Sequence, residues 1–191
     1  PISDLWSEKA ITWAGEYLRR ACYNGSDLDA RTHMAMGSTF AGIGYGNAGV
    51  HIPHALGYPI AGLAKDWIPA GFGVDEAMVP HGISTALTAP ACFRFTAPTN
   101  PAKHARIAEL LGVSTDGLPV SDAADLLPEA IVRLLREVGC PNGLSAVGYS
   151  TADIPKMVEG GWKQQRLLVG SPRPATETDL HQILEESMVL W

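Results

Sequence analysis

Histidines in and near one apolar segment are the residues of this chain best suited to metal chemistry. His51 and His54 are three residues apart in that segment, and His81 follows Pro80 where a helix is predicted to begin. Residues three apart on a helix face the same side, so His51 and His54 could share a ligand. A neutral imidazole is a good ligand for borderline divalent metals such as Zn2+ or Fe2+. Histidines brought together from two helices would therefore form half of a metal site.

A purely structural role fits the same histidines. A lone histidine on an apolar helix is more often a packed, hydrogen-bonded core residue than a ligand. The nearest acidic residues, Asp66, Asp75 and Glu76, lie in a predicted loop, and no HExxH-like motif accompanies the pair. A metal-dependent hydrolase has the least support, because no general base stands at a recognisable spacing from the histidines. On spacing alone, the core and metal-ligand roles both stay open.

Helical periodicity dominates the elements that must position these histidines. Apolar residues recur every three to four positions along most of the chain, and no useful run of alternating strand pattern is present. The sequence therefore predicts an all-α helical bundle. The predicted helices cover 3–22, Ser26 to a break at 46–49, an apolar segment ending at Leu63, 80 to about 95, 101–111, 122–138, a short stretch from about 151, and 176–188.

Composition predicts one helical domain over residues 1–191. The chain has 191 residues, of which 46% are hydrophobic and 18% are charged, enough for one well-filled core. Its formal net charge is −6 and no basic run stands out, so nucleic-acid partners are not expected. Membrane partners are not expected either, because Gly, Pro, His or charges interrupt every apolar stretch before the roughly 20 residues that cross a bilayer.

The cysteines favour a reducing compartment. Cys22, Cys92 and Cys140 are far apart, form no CxxC pair and are odd in number, so disulfides cannot exhaust them. No basic segment followed by an apolar one stands at the N-terminus, so no secretory signal is predicted. We therefore expect a cytoplasmic location. Because the chain opens at Pro1 without an initiator Met, we also expect it to be a fragment of something longer.

Two histidine motifs resemble those of the iron-containing (group III) alcohol dehydrogenases. Residues 41–60 read AGIGYGNAGVHIPHALGYPI and resemble the family's signature, and residues 79–84 read VPHGIS and resemble its second histidine motif. The likeness covers nearly the whole chain. Within the family it is greatest to the hydroxyacid-oxoacid transhydrogenase branch, because of residues 1–4, the long loop between the motifs, and residues 146–155.

The resemblance implies an enzyme of two domains. An N-terminal α/β domain would bind NAD(H), and a C-terminal helical domain would hold one divalent metal through one Asp and three His. His54 and His81 match two of those metal ligands, whereas the other Asp and His would precede Pro1, as would the NAD-binding domain. Tyr58 stands where many family members carry a further His near the nicotinamide, which implies a catalytic position. A phenol there could donate a hydrogen bond, although its ordinary pKa of about 10 makes it a poor proton shuttle near neutral pH.

The implied activity is that of an NAD-dependent oxidoreductase using Fe2+, Zn2+ or another divalent metal. It would transfer hydride between a small alcohol or hydroxyacid and its carbonyl, with the metal polarising the substrate oxygen. The implied partners are that substrate, the missing NAD-binding domain and, in some family members, a second copy in a homodimer. As an isolated fragment the chain would be inactive. The alternative is a non-catalytic helical binding or assembly module.

Overall fold

The computed structural model describes all residues 1–191 and contains helices but no β-strand, which confirms the all-α prediction. No helix is long and apolar enough to cross a bilayer. The helices are α1 (Ile2–Tyr23), α2 (Leu28–Ala48), α3 (Ile52–Gly62), α4 (His81–Ala86), α5 (Ala89–Thr96), α6 (Pro101–Leu110), α7 (Val120–Glu137), α8 (Ile154–Trp162), α9 (Gln165–Leu168) and α10 (Glu177–Glu186).

The helices form two compact units. The first comprises residues 1–49 and 97–139, and the second comprises residues 50–96 and 140–191. The single domain predicted over 1–191 stays a prediction, because compactness alone does not show whether either unit folds independently.

In the first unit, α1 packs against α2 and α6 packs against α7. An aromatic cluster joins α1 to α2, with the ring centroids of Trp13 and Phe40 5.0 Å apart and those of Tyr17 and His33 4.0 Å apart. A small residue of α2 allows close approach of the two helices. A Cβ on Gly44 would lie 3.3 Å from the backbone nitrogen of Ser7 on α1.

The second unit is built around α3, whose apolar side chains are fully buried. Ile52, Leu56 and Ile60 are each 0% exposed and lie in one core with residues of α5, α8 and α10. The hydroxyl of Tyr149 donates a hydrogen bond to the carbonyl of Ile60. These contacts hold α3 in place, and α3 in turn carries His54.

Hydrogen bonds correct one predicted helix start and confirm another. α2 begins after Asp27, whose carboxylate accepts from the backbone nitrogen of Ala30 at 3.0 Å, so the helix start predicted at Ser26 is wrong. Ser26 instead donates to Asn24. The helix start predicted at Thr176 is confirmed. A capping box forms there, since the Thr176 hydroxyl accepts from the backbone nitrogen of Asp179 and the Asp179 carboxylate accepts from that of Thr176.

The helix predicted from 80 to about 95 is two helices. α4 ends at Ala86 and α5 begins at Ala89. Pro90 explains the interruption, because its nitrogen has no hydrogen to donate and its ring would clash with the carbonyl of Ala86 in a continuous helix. Pro80 is likewise the residue before α4 and not part of its first turn, which begins at His81.

Gly143→Ala is expected to destabilise the second unit strongly. Gly143 has φ +76°, and an added Cβ would lie 2.5 Å from the carbonyl oxygen of Met188. Gly117→Ala is the matched control, because φ is +75° there but no atom lies within 4 Å. The control should cost about 1–2 kcal/mol of unfolding free energy from the left-handed backbone alone. Gly143→Ala should cost at least about 2 kcal/mol more unfolding free energy than the control, measured by urea denaturation. Equal losses of stability in the two variants would contradict the close packing at Gly143.

The cysteines are expected to differ in reactivity in the native protein. Cys22 is exposed, whereas Cys92 is 0% exposed in the core and burial raises the pKa of its thiol. Because the thiolate is the reactive species, a thiol reagent should label Cys22 and leave Cys92 unmodified until urea is added. Mass spectrometry of the labelled peptides measures this, and native labelling of Cys92 at the rate of Cys22 would refute it.

Candidate functional site

His54 lies in the first turn of α3. The backbone nitrogen of His54 donates to the carbonyl of His51 at 2.9 Å, and Pro53 occupies one of the first helical positions. His51 is the N-cap residue, with φ −136° and ψ −137°, and so lies outside the helical backbone. The spacing argument that put His51 and His54 on one helix face therefore does not apply. The ring of His51 contacts Phe93 edge to face, with centroids 6.2 Å apart.

His81 is the first residue of α4. Its carbonyl accepts hydrogen bonds from the Ser84 hydroxyl at 2.8 Å and from the Thr85 hydroxyl at 3.2 Å. These bonds close the first turn of a helix only six residues long. They hold the backbone that carries the imidazole.

α3 approaches α4 closely at Gly57. A Cβ on Gly57 would lie 2.8 Å from Thr85 Cγ2 and 3.2 Å from Ser84 Oγ, so a larger residue would displace these side chains of α4. Gly57 is three residues after His54, and Ser84 is three residues after His81. Residues at this spacing share a helix face, so the contact also brings the two histidines to facing positions.

The imidazoles of His54 and His81 are neighbours. Their ring centroids are 5.3 Å apart and the rings are inclined at 62°. Two imidazoles bound to one divalent ion at about 2.0–2.1 Å have centroids on the order of 5 Å apart. Burial, and secondly the adjacent His81, lower the pKa of His54 below its ordinary 6.5, which favours the neutral form that binds metals.

The pair fits a divalent metal as part of a donor set. No group of three or more His, Cys, Asp or Glu side chains in the chain is arranged to hold an ion, whereas closed sites need about four ligands. His54 is half-buried and His81 is exposed, so this chain alone leaves the pair partly open to solvent. The role of His54 and His81 as metal ligands stays a prediction.

Tyr58 lies one helical turn after His54. Its side chain is 49% exposed, and its hydroxyl oxygen accepts a hydrogen bond from Arg166 Nη2 at 2.9 Å. The guanidinium carbon also lies 5.7 Å from the centre of the phenol ring. The catalytic role of Tyr58 stays a prediction. Sequence reasoning missed Arg166, because its place in the chain, far from both histidine motifs, carries no local spacing signal.

Comparison with known proteins identifies the family. Residues 1–188 match the model described as "Fe-containing alcohol dehydrogenase family, C-terminal". The "Hydroxyacid-oxoacid transhydrogenase, mitochondrial" of Pongo abelii is 46% identical over 100% of this chain, and that of Homo sapiens is 45% identical. The chain spans 41% of the length of either relative. The family resemblance of the histidine motifs, and the transhydrogenase branch within it, are thus confirmed.

Solved structures of the family share the fold. A 1,3-propanediol oxidoreductase superposes with a TM-score of 0.87 at 32% identity, covering 98% of this chain and 45% of that one. An alcohol dehydrogenase from Oenococcus oeni gives 0.85 at 30% identity, with the same coverage. All three helical bundles therefore belong to one architecture.

The prediction of a cytoplasmic location is wrong. The transhydrogenases that match the chain are named as mitochondrial proteins. The physical basis of the prediction was too weak, because free cysteines report only a reducing environment and do not distinguish between compartments that share one.

Gly57→Ala is expected to separate the two imidazoles. The new methyl group would push α4 away from α3, at a cost of about 1–3 kcal/mol of unfolding free energy for overpacking. Gly62→Ala, in the same helix but with no atom within 4 Å of its added Cβ, is the control and should change little. Denaturation measures stability, and NMR cross-relaxation between the ring protons of His54 and His81 measures their contact. An unweakened cross-peak in Gly57→Ala would show that the glycine does not set the separation.

Proposed function

Since this chain belongs to the iron-containing alcohol dehydrogenase family as its C-terminal domain, we propose that it supplies half of the metal site of an NAD-dependent dehydrogenase. The reaction oxidises a small alcohol or hydroxyacid to its carbonyl while NAD+ is reduced to NADH and one proton is released. Transhydrogenation would run the same step in both directions, with an oxoacid accepting the hydride. The observation that supports this most directly is the 5.3 Å separation of the His54 and His81 rings.

His54 and His81 would hold the cation, Fe2+ or a substitute such as Zn2+. The chemistry that a divalent cation supplies when bound is polarisation of the substrate's hydroxyl or carbonyl oxygen. The chain's own contribution is to present two imidazoles from separate helices at a fixed separation. Gly57 permits that separation, and the hydroxyls of Ser84 and Thr85 hold the turn that carries His81.

Tyr58 would lie beside the reacting groups on the same face of α3. Its phenol can donate or accept a hydrogen bond, so it can orient a polar group of the substrate or of the nicotinamide. The remaining metal ligands and the NAD-binding domain would come from the rest of a longer protein, because the curated relatives are more than twice the length of this chain. On its own, the chain would then act only as a helical binding module.

His54→Ala and His81→Ala are expected to remove metal and activity together in the full-length enzyme. Losing even an outer-shell partner of a metal ligand lowers affinity or activity about 10–100-fold, so losing a ligand should cost at least about 100-fold. His181→Ala is the matched control, since that histidine lies on α10 and pairs with Glu185. Elemental analysis and NAD reduction with a short hydroxyacid are the measurements. Normal metal content and turnover in either site variant would refute the proposal, provided that His181→Ala behaves as wild type.

A further inference from the structure

We propose that Arg166, oriented by Tyr58, binds the carboxylate of a hydroxyacid substrate beside the two histidines. This inference rests on the proposed function and names a specificity-determining residue of the same site. The residue lies on α9. A carboxylate contact there would explain how a metal site that can take any alcohol favours a hydroxyacid.

Arg166 presents an available cation. Its side chain is exposed, and it contacts the oxygen and the ring of Tyr58 without an ion pair to Asp or Glu. Arg94, by contrast, is exposed but paired with Glu186 at 2.7 Å. A guanidinium has five N–H donors in a planar fork that matches a carboxylate. The single bond to Tyr58 leaves most of these donors free for a ligand.

The position of Arg166 is set by the core. The next two residues, Leu167 and Leu168, are 7% and 6% exposed and belong to the same buried cluster as Leu56 of α3. The preceding helix α8 also packs closely on α3, because a Cβ on Gly161 would lie 2.8 Å from Leu56 Cδ2. Arg166 is therefore carried by a short helix that is anchored beside the helix of His54.

Tyr58 connects Arg166 to the histidine pair. Residues four apart on a helix have Cβ atoms about 5–6 Å apart, and side chains lean toward the helix N-terminus. The phenol of Tyr58 therefore covers the turn that carries His54. The hydrogen bond of 2.9 Å between Tyr58 and Arg166 holds the guanidinium on that side of α3. It also limits the rotamers open to a long, flexible side chain, which lowers the entropy cost of binding.

In this arrangement the two ends of a hydroxyacid would have different partners. The oxygen that reacts would lie at the His54–His81 pair, whereas the carboxylate would lie toward Arg166, further along α3. A charge-assisted bidentate contact there would fix both ends of the substrate and so orient its reacting carbon. A neutral alcohol of equal length would lack the second contact.

The test compares acids with alcohols in the full-length enzyme. We would measure kcat/KM for short straight-chain ω-hydroxyacids and for 1-alcohols of the same length in wild type, Arg166→Gln and Arg166→Lys. The ratio of kcat/KM for the acid to kcat/KM for the alcohol should fall about tenfold or more in Arg166→Gln, because a charge-assisted hydrogen bond is lost. It should fall less in Arg166→Lys, which keeps the charge but not the fork. An unchanged ratio in Arg166→Gln would overturn the proposal, as would an equal loss of both activities.

Arg173→Gln is the matched control. Arg173 is also exposed, and its guanidinium lies over an aromatic ring, 4.1 Å from the centroid of Phe95. It donates its hydrogen bond to the carbonyl of Phe95 and not to Tyr58. Arg173→Gln should leave the ratio of kcat/KM for acids to that for alcohols within about twofold of wild type. It removes the same charge as Arg166→Gln, but at a different place on the protein.

A binding measurement separates this proposal from the proposed function. Calorimetry would compare a short straight-chain carboxylate with its neutral amide on the same proteins. Loss of the preference for the carboxylate in Arg166→Gln but not in Arg173→Gln supports the carboxylate site even if no alcohol is oxidised. Retention of the preference in Arg166→Gln refutes the site even if the enzyme is an active dehydrogenase.

Discussion

The contact between α3 and α4 is the interaction on which the candidate site depends. Gly57 allows the two backbones to approach, and the residues one turn earlier on each helix, His54 and His81, then face one another. Protein interiors are close-packed, so a larger residue at Gly57 would have to displace the side chains of α4 that it meets. The separation of the imidazoles thus depends on how α3 packs against α4.

The candidate site is open to solvent. α3 is buried along its apolar side, whereas His81, Tyr58 and Arg166 are exposed on the side that carries the histidine pair. A partly exposed histidine pair with about half the ligands of a closed metal site is what one domain of a shared active site would present. The exposed guanidinium is part of the same surface. Its charge is solvated while it is exposed, and a desolvation cost would arise only when a substrate or another domain covers it.

Patterns among neighbouring residues predicted a helix well where a single kind of pattern decided its position. The three-to-four periodicity of α1 and α7 and the capping box at Thr176 were sufficient, because these elements depend on residues within one or two turns. The errors occurred where signals competed. Ser26 and Asp27 are both good N-cap residues, and only Asp27 caps α2, while Pro90 interrupts a segment whose apolar pattern continues through it.

By itself, the sequence determined the residue types, the all-α class and the motifs that identify the family, because each depends on composition or on spacing over short distances. Tertiary structure alone decided which side chains meet. His51, which has the better spacing to His54, lies at a helix cap against Phe93, whereas the more distant His81 is the one that faces His54. Arg166 reaches Tyr58 only because α8 and α9 pack back onto α3. Such contacts join residues that no local period relates, so they are set by the packing of the core.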